Sequence, residues 1–166
     1  MPPDTTLGDL VARIAALPLT PHRRVVAVVG PPASGKSTFA TMLADRLQTA
    51  GTATAVVPMD GFHLDDRLLE ADGTRDRKGA PHTFDALGLA RLITALQEDA
   101  DVISPIIDRR RENAIAGAGR VPATCPPELV EGNYLLLDRP PWSRLRAQWS
   151  LSIALHPPRD VLHARL

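Results

Sequence analysis

Between residues 30 and 37 the chain reads Gly30-Pro31-Pro32-Ala33-Ser34-Gly35-Lys36-Ser37, and no other stretch limits its fold as tightly. An all-apolar run, Val25 to Val29, precedes it, and Thr38-Phe39-Ala40-Thr41-Met42-Leu43 follows. Strand, then G-x-x-x-x-G-K-[ST], then helix is the arrangement that cradles a polyphosphate. Glycines at 30 and 35 let the backbone curl until successive N–H groups face inward. The new helix adds its positive end, which favours bound anions. The cradle comprises Gly30, Ala33, Ser34, Gly35, Lys36, Ser37 and Thr38. Lys36 is placed to reach the β- and γ-phosphates, and the Ser37 hydroxyl to hold Mg²⁺. Lysine is scarce here, two against 17 arginines, and one of the two stands at the required position. The pattern implies nucleoside-triphosphate binding and leaves open what is done with the triphosphate.

The remaining features exclude more than they assign. At 166 residues, the length suits one domain, 1–166, with a core of its own. Nineteen basic residues balance 19 acidic ones. No bulk field therefore draws the chain to nucleic acid or to an acidic membrane, while self-association into a homodimer stays open. A lone cysteine, Cys125, rules out an internal disulfide and fits a reducing compartment. The N-terminus carries no basic start followed by an apolar core, and the apolar runs are too short to span a bilayer. These features predict a soluble, cytoplasmic protein.

Taken in order, the chain alternates strands with helices. Asp4 or Thr5 can cap a first helix whose apolar face is Leu7, Leu10, Val11, Ile14 and Leu17, ended by Pro18 and Pro21. The helix after the cradle turns Phe39, Leu43 and Leu47 inward. A second β-rich run, 52–58, ends at Met59-Asp60-Gly61. In open α/β sheets the ligand crevice lies beyond the carboxyl ends of the strands, so Asp60 and the cradle face one crevice. Spacing leaves Asp60 open between a proton-accepting carboxylate and a turn aspartate. Asp65 and Asp66 cap a short helix over 67–70. Residues 69–81 read as an exposed, mobile loop, either a substrate flap or plain surface. Thr83 or Asp85 caps a helix bearing Leu89, Leu92, Ile93 and Leu96. Residues 102–107 are strand-like, and 112–124 show no clear periodicity. The run 128–133 reads as a strand delivering Glu131 to the same edge, where a second acidic group near Mg²⁺ is expected. A helix through 145–149, a last strand over 150–155 and a helix from Arg159 to Leu166 complete the chain.

Five stretches in this order resemble the P-loop kinases of the uridine kinase, phosphoribulokinase and bacterial pantothenate kinase group. They are GPPASGKST (30–38), PMDGFHLDD (58–66), RKGAPHTFD (77–85), SPIIDRRRENAI (104–115) and EGNYLLLDRPPW (131–142). The resemblance is strongest to the bacterial branch labelled nucleoside/nucleotide kinase family or fructose-transport-system kinase. It implies a three-layer α/β P-loop fold with a parallel sheet of order 2-3-1-4-5. The implied activity is ATP- and Mg²⁺-dependent phosphorylation of a hydroxyl on a nucleoside, sugar or pantothenate-like metabolite. By that resemblance Asp60 is the general base beside Lys36, and Glu131 organises Mg²⁺ with Ser37. His63, Arg77, Lys78, His82, Phe84, Arg109 and Tyr134 lie near the acceptor.

Members of the group continue into an arginine-bearing lid and a fifth strand, which this sequence is expected to lack after Leu166. An ATP-binding protein of weak or regulatory character is therefore the alternative expectation. A GTPase is disfavoured. No N-K-x-D stretch is present, and D-x-x-G occurs only at Asp76–Gly79 and Asp85–Gly88.

Overall fold

The computed structural model describes residues 5–18, 23–98, 100–124 and 127–165. Asp4, Pro21, Cys125 and Leu166 lie outside them. Four parallel strands form the central sheet: β1 (Val25–Val29), β2 (Ala55–Pro58), β5 (Glu128–Gly132) and β6 (Leu151–Ala154), in the order β2-β5-β1-β6. Every residue of β1 and β5 is buried, as a central parallel strand covered on both faces requires. Alternate side chains serve opposite faces. Val26, Val28, Leu129 and Ile153 pack with α1 (Leu7–Ala15) and α2 (Lys36–Thr49), whose Leu43 and Leu47 are fully buried. Val25, Ala27, Val57 and Val130 pack on the other face with α4 (Ala86–Leu96) and with a 3₁₀ turn, Trp142–Gln148. An α/β sheet between helical layers is the expected fold. In chain order of its members the sheet supplies four of the five expected places; no fifth strand is among the described residues.

Several local expectations are corrected. Thr6, rather than Thr5, caps α1: its hydroxyl accepts from the Asp9 amide, and the Asp9 carboxylate accepts from the Thr6 amide at 2.9 Å. Asp65 caps α3 (Asp66–Ala71), and Asp66 opens that helix. Asp85, not Thr83, caps α4. Residues 145–148 lie in the 3₁₀ turn rather than an α-helix, and Trp149 is extended.

The strand-like run 102–107 is a strand, β3 (Val102–Asp108), and it stands outside the central sheet. It pairs antiparallel with β4 (Asn113–Val121) in a separate hairpin. Sequence showed no period over 112–124 because β4 is mostly exposed and built from Ala and Gly. Those small residues let the strands close up: a Cβ on Gly119 would fall 2.4 Å from the Ser104 hydroxyl. Residues 69–81 are likewise pinned rather than free. Lys78 bonds Asp66 at 2.5 Å and the Glu112 carbonyl at 2.7 Å, and the Tyr134 hydroxyl donates to the Gly79 carbonyl at 2.7 Å.

At the amino edge of the sheet, Arg23 and Glu128 are both buried and 2.8 Å apart. The same guanidinium donates to the carbonyls of Glu98 at 2.7 Å, Pro122 at 3.3 Å and Ala100. It thus ties the end of α4 and the end of the hairpin to the sheet. Removing one partner of such a buried pair strands the other charge, so Arg23→Met should cost about 3–5 kcal/mol of stability. Burial pushes the Glu128 carboxyl up to about 7 against the pull of Arg23, from an ordinary value of 4.5. The folded chain then holds a proton that the unfolded chain releases. Stability contributed by this group is full below about 4.5 and falls as pH rises toward about 7. Denaturant midpoints measured across that range should decline in the wild type, and Glu128→Gln should flatten the decline.

Candidate active site

Register sets the site. Pro58 on β2, Glu131 on β5 and Val28 on β1 lie abreast, so the residues that follow each strand emerge together at the carboxyl edge. After β1 the chain turns through residues 30–35. Ala33 (φ 60°) and Gly35 (φ 81°) take left-handed conformations, which glycine adopts without strain and alanine does not. Gly35 caps α2 with no side-chain hydrogen bond, leaving the first amides of that helix open to an anion. The Ser34 hydroxyl is buried here without a partner.

Ser37 on the first turn of α2 donates to Glu131 Oε1 at 2.9 Å. Glu131 is only 3% exposed, and burial raises its carboxyl above the usual range, with the Ser37 bond and Lys36 pulling it down. Among the described residues no three His, Cys, Asp or Glu side chains converge to cage a metal alone. The Ser37–Glu131 oxygen pair beside an open phosphate cradle instead fits Mg²⁺, which takes few protein oxygens and completes its shell with phosphates and water. The orphaned Ser34 hydroxyl and open α2 amides fit the phosphates themselves.

Asp60 lies in a 3₁₀ turn, Met59–Phe62, directly after β2. Its Oδ2 accepts from Arg109 Nη2 at 2.9 Å, across from the hairpin tip. That approach depends on Gly61: a Cβ there would sit 2.4 Å from the Pro105 carbonyl oxygen. His63 follows the turn and pairs with Phe84 in an isolated antiparallel bridge, ring centroids 4.0 Å apart. Burial lowers the His63 pKa, and the Asp60 charge opposes this. Edges of Tyr134 and Trp142 meet Phe84 at 5.7 and 6.0 Å.

One cleft of about 470 Å³ is lined by Ala33, Gly35, Lys36, Ser37, Thr38, Asp60, His63, Phe84 and Arg109. A second compartment of about 250 Å³ shares Asp60, His63 and Arg109 and adds Lys78, Ile107 and Glu112. Gly30 and Ser34 belong to the loop beneath, where a Cβ on Gly30 would strike the Ser34 hydroxyl at 2.5 Å. Tyr134 stands behind Phe84 rather than in the cleft lining. Two expected acceptor residues lie apart from both compartments. Arg77 sits on the 3₁₀ turn Arg75–Arg77, and His82 lines a separate groove with Pro140 and Trp142. Asn133 was missed although it lines the cleft and directly follows Glu131 and Gly132 at the end of β5. Arg165, in the turn after α5 (Arg159–His163), was missed too; its Nη1 is 3.6 Å from where a Gly35 Cβ would stand. Nothing local in sequence marks that long-range approach.

No protein-family model matches the chain. An uncharacterized protein of Escherichia coli K12, YggC, is 38% identical over 161 residues, 95% of this chain and 67% of that protein. A "putative uridine kinase" of Schizosaccharomyces pombe is 29% identical over 174 residues, 99% of this chain and 74% of that one. The crystal structure of a "putative fructose transport system kinase" from Silicibacter sp. TM1040 superposes with a TM-score of 0.93 at 49% identity, covering 97% of this chain and 79% of that one.

The tight contact at Gly61 yields a test. Gly61→Ala should push β3 off the 59–62 turn and destabilise the chain by about 1–3 kcal/mol, the usual range for overpacking. The midpoint of urea unfolding reads this directly, and an unchanged midpoint would show that the hairpin yields freely.

Proposed function

The chain belongs to the P-loop kinases of the uridine kinase group, and from that premise we propose that it transfers the γ-phosphoryl group of ATP to a hydroxyl of a small metabolite. One observation carries the reading: Lys36, the Ser37–Glu131 pair and Asp60 converge on a single cleft. The α2 amides and the Lys36 ammonium bind and orient the triphosphate and offset the charge that develops during transfer. Ser37 and Glu131 would hold Mg²⁺, which when bound would supply charge neutralisation at the phosphates. Asp60 has one carboxylate oxygen engaged by Arg109 and the other available for a proton. As the acceptor oxygen bonds to the γ-phosphorus, its proton passes to Asp60. The bond from that phosphorus to the bridging oxygen breaks, and ADP carries the electron pair away. Arg109 orients the carboxylate. The buried Phe84 behind His63 helps exclude water from the same corner.

We also read residues 1–166 as one domain and the chain as a cytoplasmic protein without a nucleic-acid or membrane partner. Balanced charge supports the latter, and no helix among the described residues is long and apolar enough to cross a bilayer.

Lys36→Ala should weaken ATP binding more than tenfold in a fluorescent-nucleotide titration. Asp60→Asn should bind ATP as the wild type does yet lose about 10²–10⁴-fold in ADP release with hydroxylated metabolites, the range for a lost general base. Undiminished turnover by Asp60→Asn would remove that residue from the role of base. ATP binding with no transfer to any sugar, nucleoside or pantothenate would replace the kinase by a nucleotide-binding regulator.

A further inference from the structure

The compartment beside Asp60 has a lining that narrows the acceptor, on the reading that Asp60 receives the acceptor's proton. Its polar groups are balanced in sign and in hydrogen-bonding sense. Lys78 and Arg109 supply donors, and Asp60 and Glu112 supply acceptors. Lys78 has three N–H groups; Asp66 and the Glu112 carbonyl take two, leaving one. Arg109 spends Nη2 on Asp60 and keeps its remaining donors. His63 adds a buried Nδ1 that has no hydrogen-bond partner. Burial disfavours its protonated form, so the ring offers one donor and one acceptor. A hydroxyl group both donates and accepts, so a ligand rich in hydroxyls matches both the donors of Lys78 and Arg109 and the carboxylates of Asp60 and Glu112. A carboxylate or phosphate would face two carboxylates along with the two cations, and an ammonium would face the cations.

Flat rings fare worse. His63 is the one ring in the lining among the described residues, and Phe84 lies over it at 4.0 Å. Phe84 itself is 6% exposed, closed in by Tyr134 and Trp142. Its neighbours thus occupy the aromatic surface on which a base would stack. Ile107 is the apolar side chain of the compartment, too little to hold a branched alkyl segment. The volume, about 250 Å³, equals on the order of eight waters at ~30 Å³ each, the scale of a small sugar.

We infer that this compartment takes a small, uncharged polyhydroxylated acceptor, a sugar or alditol, in preference to a nucleoside or a pantothenate-like acid. Titration calorimetry tests this with the full chain. Pentoses, hexoses, their alditols, uridine and pantothenate are each titrated alone and again with Mg²⁺ and a non-hydrolysable ATP analogue. At least one sugar or alditol should bind, and tighter than uridine and pantothenate by tenfold or more. Arg109→Ala, at an exposed position that folding tolerates, should weaken that binding at least tenfold. A second measurement, phosphoryl transfer to the same compounds, separates the two readings. Sugar binding without transfer supports the polyol as the ligand of this compartment and removes the kinase. Binding of or transfer to uridine or pantothenate at equal or better affinity overturns the acceptor class and leaves the kinase standing. Failure of every polyol to bind in both titrations also overturns it, as does polyol binding that Arg109→Ala leaves unchanged.

Discussion

A carboxylate buried at the end of the central strand is the constraint around which the carboxyl edge is built. Glu131 cannot be taken out of water without a partner, because an isolated buried charge is costly. Its neighbours answer that cost: the Ser37 hydroxyl at 2.9 Å and the positive field of Lys36. Both belong to the first turn of α2, so the bond that makes Glu131 tolerable also fixes the start of that helix against β5. Once α2 is fixed, the loop before it must close over a short span. Ala33 and Gly35 go left-handed to do so, and the first amides of α2 are left facing the cleft.

The second fixed point is the meeting of the hairpin with the turn after β2. Gly61 lets the Pro105 carbonyl approach where no side chain would fit. That closeness brings Arg109 over Asp60, while Lys78 grips the far side of the same tip through Glu112. The acidic group on the turn is therefore held from an element that is not part of the central sheet. A site assembled this way has a rigid half, the strand ends and α2, and a half whose position depends on a few polar ties and one missing methyl group. Lys78, which resemblance places beside the acceptor, spends most of its donors on those ties.

Local chemistry made the rigid half legible. The G-x-x-x-x-G-K-S pattern between an apolar run and a helix has a single physical use, and Glu131 could be placed because parallel strands expose their carboxyl ends together. Asp60 stayed ambiguous on spacing, since Asp-Gly is also ordinary turn chemistry; in the structure the pair serves both needs, turning the chain and admitting the hairpin. β4 was invisible because alternation is a signal of one-sided burial, and Asn113–Val121 is mostly exposed with glycine and alanine at the contacts. The pinning of residues 69–81 depends on Asp66 and Glu112, charged side chains and carbonyls that only tertiary structure brings to Lys78. Arg23 gave no hint of its acceptors, which among the described residues are scattered over three distant segments.

The strand that carries Glu131 lies between β1 and β2 although it is made long after both. Val26 pairs with Leu129, and Val56 pairs with Leu129 from the other side. A nascent chain therefore holds two non-adjacent strands apart, with apolar side chains on both faces, until the segment Glu128–Gly132, far downstream of Pro58, supplies the piece that joins them. Closing so long an intervening loop is entropically slow. During that interval the unpaired edges of β1 and β2 are open to wrong partners. The same threading that gathers the cleft leaves the two flanking strands without their shared neighbour until that late segment arrives.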